Sequence, residues 1–135
     1  MGISIKFYRY WISESHFSID PNFFEKMGST MKIEPNLLQT IRKVGNKYEV
    51  ILTVEIEKKN DSPFEIKVSI NGIFECENSS CETNQIKTIK GLSAQTLFPF
   101  LRQAVATITG MANIPAYILP LINVNTFIEK DSGDK

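Results

Sequence analysis

Few side chains in this sequence are equipped for bond-making chemistry. There is one histidine, His16, and it stands between Ser15 and Phe17 in a stretch that reads as a strand, where a structural or exposed role is expected rather than general acid–base work. The two cysteines, Cys76 and Cys81, lie close together, but two thiols make at most half of a structural zinc site and the histidine is far away in sequence. Without a secretory context they are expected to be free thiols. The acids Glu49, Glu55, Glu57 and Glu65 alternate with apolar residues, which predicts a solvated strand face rather than a glycosidase-like carboxylate pair. No glycine-rich phosphate loop and no G-x-S-x-G elbow occurs. No catalytic residue, metal or cofactor is expected, and the chain is not expected to be an enzyme.

Apolar surface is the chemistry that remains. The chain carries 9 Phe, 4 Tyr, 4 Met and 1 Trp, and several fall outside any regular core stripe: Phe23, Phe24, Met27 and Met31 among them. Met and aromatic side chains make adaptable contacts that suit varied apolar partners. They equally suit the protein's own core or an interface between copies, and residue pattern alone leaves both readings open.

The elements that must position these groups follow from periodicity. Residues 3–20 read as a long strand in which Ile3, Ile5 and Phe7 alternate with polar residues. The phase then blurs, with Tyr8, Tyr10 and Ile12 on one parity and Trp11 on the other, which predicts a bulge near Arg9. Pro21 is expected to end the strand. Residues 21–46 are apolar without a firm period and read as a long crossover punctuated by Pro21, Gly28, Pro35 and Gly45. Tyr48, Val50, Leu52, Val54 and Ile56 alternate cleanly, as do Phe64, Ile66, Val68 and Ile70 beyond a turn at Asn60-Asp-Ser-Pro. This is an antiparallel hairpin with one wet and one core face, with a bulge or kink expected at Asn71-Gly72. A short helix over Glu82–Lys90 is expected to stop at Gly91, and a second to run from Ser93 or Thr96 to a C-cap at Gly110, with Pro99 in its first turn if it begins at Thr96. Leu97, Leu101, Ala104, Val105 and Ile108 form its core stripe; Phe98, Arg102, Ala106 and Thr109 form a mixed opposite side suited to a helix–helix interface. A short final helix is expected over Val124–Lys130. Strands followed by helices argue for an α+β domain with helices on one face of an antiparallel sheet.

Length and composition bound the rest. At 135 residues the chain is one domain, expected over residues 1–130 with a polar, disordered tail at 131–135. Charged residues make up 22%, and 15 basic residues balance 15 acidic ones. That balance does not suggest a nucleic-acid partner or an anionic-membrane anchor, and it offers little repulsion against self-association. The N-terminus, MGISIKFYRYWIS, lacks a secretory layout, so a cytoplasmic location is expected.

Several motifs, in order, resemble the SecB-type protein-export chaperones. Lys47-Tyr-Glu-Val-Ile-Leu-Thr-Val-Glu-Ile56 and Phe64-Glu-Ile-Lys-Val-Ser-Ile-Asn-Gly-Ile-Phe74 are similar to the family's paired strands, which carry "YEV" and end in "GIF". Thr96-Leu-Phe-Pro-Phe-Leu-Arg102 is similar to the family's helix opening "LFPYAR". Ile114-Pro115 with Ile118-Leu-Pro-Leu-Ile-Asn-Val-Asn-Thr-Phe127 is similar to its "FPxLxLxPVNFxxLF" tail, and Tyr8–Asp20 to its first strand. The resemblance spans roughly residues 5–128.

The resemblance implies a four-stranded antiparallel sheet, a long crossover loop, one long and one short C-terminal helix, and a homotetramer built as a dimer of dimers. It implies a cytoplasmic holdase that works without ATP and binds unfolded polypeptides or preproteins in apolar grooves under the crossover. Phe23, Phe24, Met27, Met31 and Ile33, with Phe127 and Ile128, are then the expected client-binding residues. Tyr8, Tyr10, Trp11, Phe98, Arg102 and Ala106 are the expected oligomer interface. Export members dock the translocase motor through acidic residues of the sheet face and a zinc-binding tail. The resemblance leaves the translocase motor ATPase or an antitoxin as a partner; here Lys67 stands at one acidic position, His16 and Asp20 align with the first-strand acids, and Glu129–Lys135 shows no such tail, which argues against the motor. A chaperone for the antitoxin of a toxin–antitoxin system is the alternative within the family; a small-ligand-binding α+β domain is the alternative outside it.

Overall fold

The computed structural model describes residues 5–19, 35–57, 64–76, 82–112, Leu119 and Ile128–Glu129. Strands β1 (Ile5–Ile19), β2 (Asn36–Val44), β3 (Lys47–Ile56) and β4 (Phe64–Cys76) precede helix α1 (Glu82–Met111), and β5 (Ile128–Glu129) follows it. The sheet order is β1-β4-β3-β2-β5. The four long strands pair antiparallel, while β5 lies parallel to β2, setting Ile128 beside Leu38. The chain therefore crosses from one edge of the sheet to the far side of β3 between β1 and β2, as the long apolar connection implies. This is the expected α+β architecture, with a two-residue strand added.

The hairpin forms as its alternation dictates. Tyr48, Val50, Leu52, Val54 and Ile56 of β3, and Phe64, Ile66, Val68 and Ile70 of β4, are buried on the face under α1. Ile89, Ala94, Leu97, Leu101 and Val105 close the core from the helix, with Ala104 and Ile108 at its margin.

Several expectations are corrected. β4 pairs with β3 in an unbroken register through Asn71-Gly72, so there is no bulge there. Gly72 is required for a different reason: a Cβ at that position would stand 2.9 Å from a Leu97 methyl and 3.0 Å from the Phe74 ring. β2 lies inside the stretch read as crossover. Its signals were the alternation of Leu37, Gln39 and Ile41 and a two-residue Gly45-Asn46 turn, where Gly45 takes φ 65°. The two expected helices are one 30-residue helix. The buried stripe Ile89, Ser93/Ala94, Leu97 keeps its period across Gly91, and that burial outweighs a glycine cost of about 1 kcal/mol. Pro99 sits inside the helix on its exposed side, as does Gln95, whose carbonyl it cannot serve. Gly110 is helical rather than a left-handed cap; the last turn closes by Ala112 N–H to the Thr109 carbonyl at 3.2 Å. The final helix expected over 124–130 is contradicted at Ile128–Glu129, which pair in the sheet. The Asn60 turn, Pro21, Asp20, Cys81 and the 131–135 tail lie outside the described residues.

β1 explains its own blurred phase. Its register against β4 shifts once between Phe7 and Arg9, as expected, and again between Ile12 and Glu14. Each extra residue reverses parity. Ile5 and Phe7, then Tyr10 and Ile12, then Phe17 and Ile19 consequently pair with the inward-facing residues of β4. A 15-residue strand presents an apolar face interrupted at Ser15 although its sequence alternates with neither parity.

A candidate assembly and polypeptide-binding surface

Among the described residues β1 has one neighbour, β4, and forms an edge of the sheet. Its apolar face is only half covered by α1. Phe7 stacks on buried Phe74 at 5.0 Å and on Tyr10 at 6.4 Å, and Tyr10 stacks on Phe100 of α1 at 4.2 Å. Phe7, Tyr10, Ile12 and Phe100 remain between 37% and 42% exposed. A row of stacked rings thus runs outward from the core to the surface along an edge that no other described strand pairs with. Long edge strands of this kind are templates for pairing with another chain, and connected apolar patches of this kind mark contact sites.

The expected site residues separate. Phe23, Phe24, Met27, Met31, Ile33 and Phe127 lie outside the described residues; Ile128 is in β5 beside Leu38. Tyr10 lies on the apolar face, but Tyr8 and Trp11 are on the other face of the sheet. Tyr8 sits at the first register shift, donates its hydroxyl to Glu75, and is flanked by the ammonium groups of Lys6 and Lys47 at 4.9 and 4.7 Å from its ring. The Arg9 guanidinium lies 5.3 Å from the Trp11 ring. Phe98 and Thr109 are corrections: both are buried on the core side of α1, Phe98 in the main cluster and Thr109 with its hydroxyl donating to the Val105 carbonyl. Arg102 donates from Nε to the Leu119 carbonyl at 2.7 Å and, with Pro99, Gln103 and Ala106, lines a shallow hollow of about 290 Å³ on the outer side of the helix. Phe7, Ile12 and Phe100 were missed. The double parity switch of β1 hid the first two.

The sheet's outer face mixes the apolar Trp11, Leu38, Ile51 and Ile73 with a bonded polar belt. Ser13, at the second register shift, donates to the Asn71 side-chain oxygen; Asn71 donates to Glu49 at 2.9 Å; Arg42 pairs with the same carboxylate. This belt crosses all four long strands and leaves the Glu49 side chain 12% exposed, far from a simple solvated acid. Farther along, Lys67 pairs with Glu14 and His16 with Glu65, each at 3.6 Å. Among the described residues no group of three or more His, Cys, Asp or Glu could hold a metal, and no helix is long and apolar enough to cross a membrane. Cys76 is a free thiol, and burial pushes its pKa up.

Comparison with known proteins connects this geometry to a family. The family model for the preprotein translocase subunit SecB matches residues 16–133. The chain belongs to the SecB family. It is 31% identical over 91 residues to the protein-export protein SecB of Anaplasma phagocytophilum, spanning 64% of this chain and 58% of that protein. It is 32% identical over 127 residues to an uncharacterized protein of Methanocaldococcus jannaschii, covering 90% and 80% of the two chains. Its fold is similar to that of a SecB-like chaperone of Mycobacterium tuberculosis solved in complex with a ChAD peptide from the HigA1 antitoxin, with a TM-score of 0.70, 10% identity and 87% of each chain covered. The SecB fold accounts for the four antiparallel strands and the long helix.

Proposed function

We propose that this SecB-family protein is an ATP-independent molecular chaperone that holds unfolded polypeptides in apolar grooves. The observation that carries the reading is the outward row of Phe7, Tyr10 and Phe100 along an open 15-residue edge, a surface that a solitary domain would cover. Assembly covers it: copies meet through β1 and α1, using Tyr10, Arg102 and Ala106 together with Phe7, Ile12 and Phe100, to give a homotetramer. Clients bind under the crossover at Phe23, Phe24, Met27, Met31 and Ile33, with Phe127 and Ile128 at the margin. Burying ~1,000 Å² of client surface at ~25 cal/mol/Å² is worth roughly 25 kcal/mol gross; ordering of the client cancels most of it, and several shallow sites acting on one chain recover affinity.

The location is the cytoplasm, and no catalytic step is involved. Docking of the translocase motor is disfavoured by Lys67, which is held by Glu14 on the sheet face where export members present acids. An antitoxin segment is the alternative client, favoured by the antitoxin peptide held in the Mycobacterium structure.

Light scattering of the protein alone and with a reduced, unfolded polypeptide tests the reading. A species near four chains that takes up the polypeptide is expected. Phe23→Ser/Phe24→Ser should weaken suppression of client aggregation while leaving the assembly intact. A monomer that ignores the polypeptide would return the chain to the small-ligand-binding alternative.

A further inference from the structure

The outer face of the sheet is electrically divided along its length. At one end Lys6, Arg9 and Lys47 make no ion pair among the described residues; their charges are held over the rings of Tyr8 and Trp11. The acids of that end are already engaged. Glu75 accepts from Tyr8 and from Asn46 at 2.8 Å, and Glu49 accepts from Arg42 and Asn71. At the other end Glu14, Glu55 and Glu65 outnumber Lys67, with His16 beside Glu65. A chain of zero formal charge has therefore set three cations, none of them in an ion pair among the described residues, together on one exposed corner.

We propose that this corner, Lys6, Arg9 and Lys47 around Tyr8 and Trp11, binds acidic polypeptide segments. The proposal names a client class for the chaperone reading and rests on it. Charge complementarity selects an anionic occupant. The rings argue for a polypeptide over a nucleic acid: the ammonium groups of Lys6 and Lys47 lie over Tyr8 and the Arg9 guanidinium over Trp11, where they compete with a base for the ring faces. A ring-held cation is attracted by the quadrupole yet keeps donors for a carboxylate. The preference is opposite in sign to that of an acidic sheet face that recruits basic partners.

The test uses the full chain and two fluorescein-labelled peptides, one with glutamate at alternate positions and one with lysine in their place, followed by anisotropy. The glutamate peptide should bind and the lysine peptide should not, and ~1 M salt, which shortens the screening length to ~3 Å, should release it. Lys6→Gln/Lys47→Gln should weaken binding roughly fivefold, while Lys67→Gln, at the other end of the same face, should not. Equal binding of both peptides, or an unchanged affinity in the double variant, overturns the proposal. Tighter binding of a single-stranded oligonucleotide also overturns it, in favour of nucleic acid. Suppression of aggregation of an uncharged unfolded client, measured in parallel, separates the failures. If suppression stands while the glutamate peptide is ignored, the acidic-segment proposal alone falls; if suppression is absent, the chaperone reading falls with it.

Discussion

The two edges of the sheet are finished in different ways. On the β2 side the chain covers part of its own edge: β5 pairs in parallel at Leu38 and Gln39, and Gln39 is buried with its Nε2 donating to the Lys90 carbonyl at 3.0 Å and to Ser93 at 3.1 Å. On the β1 side nothing among the described residues closes the edge. The strand is longer, bulged twice, and lined with half-exposed aromatic rings. Edge strands left open are avoided unless something pairs with them. The contrast separates an edge that the chain partly covers with its own β5 from one that, among the described residues, stays uncovered.

Substitutions can break or sharpen that contrast. The largest effect is expected where both edges depend on the shared core: Leu101→Ala, fully buried, should cost about 3 kcal/mol in denaturant unfolding. Gly72→Val should follow at about 2 kcal/mol, because its side chain would collide with Leu97 and Phe74 beneath β1 and α1. At the closed edge, Gln39→Ala should lower the unfolding free energy by about 2 kcal/mol, since it removes two hydrogen bonds and opens a cavity. Gln39→Leu should cost under about 1 kcal/mol, because it keeps the volume and removes a buried Oε1 that has no partner among the described residues. At the open edge, Phe7→Ser/Tyr10→Ser should leave the secondary structure in place and lower the mass seen by light scattering; an unchanged mass would place the assembly surface elsewhere. The smallest effect concerns Cys76. Burial raises its pKa in the fold, so the native state holds the proton that the unfolded chain loses first; the thiol contributes full stability below its ordinary pKa, and stability declines as pH rises through that value. Alkylation of Cys76 at neutral pH should correspondingly be slower than that of an exposed thiol.

Much of the molecule was legible in the residues. The β3–β4 hairpin was readable because each strand keeps strict alternation over its length with one face buried. β2 was not read, because Leu37, Gln39 and Ile41 point a polar residue into the core, and only helix α1 shows why: Gln39 binds the Lys90 carbonyl and Ser93 there. Gly91 was read as a stop by its local propensity, but the sheet beneath Ile89 and Leu97 carries the helix through it. Phe98 was assigned outward from its spacing, and the helix's rotation about its axis buried it. Of the candidate surface, Tyr10 was found, whereas Phe7, Ile12 and Phe100 were not.

The alternation of Tyr48–Ile56 and Phe64–Ile70, the stripe through Leu97, Leu101 and Val105, and the family motifs determined the fold class and the family without coordinates, because local periodicity alone specifies which face of an element is apolar. Tertiary structure decided what lies on which face of β1. Two register shifts against β4, each set by pairing with a strand more than fifty residues away, turn Phe7, Tyr10 and Ile12 toward α1 and leave Lys6, Arg9 and Trp11 on the outer face with Lys47 of β3. A parity change costs one residue and carries no sequence signal of its own, so it becomes visible only when the partner strand fixes the register.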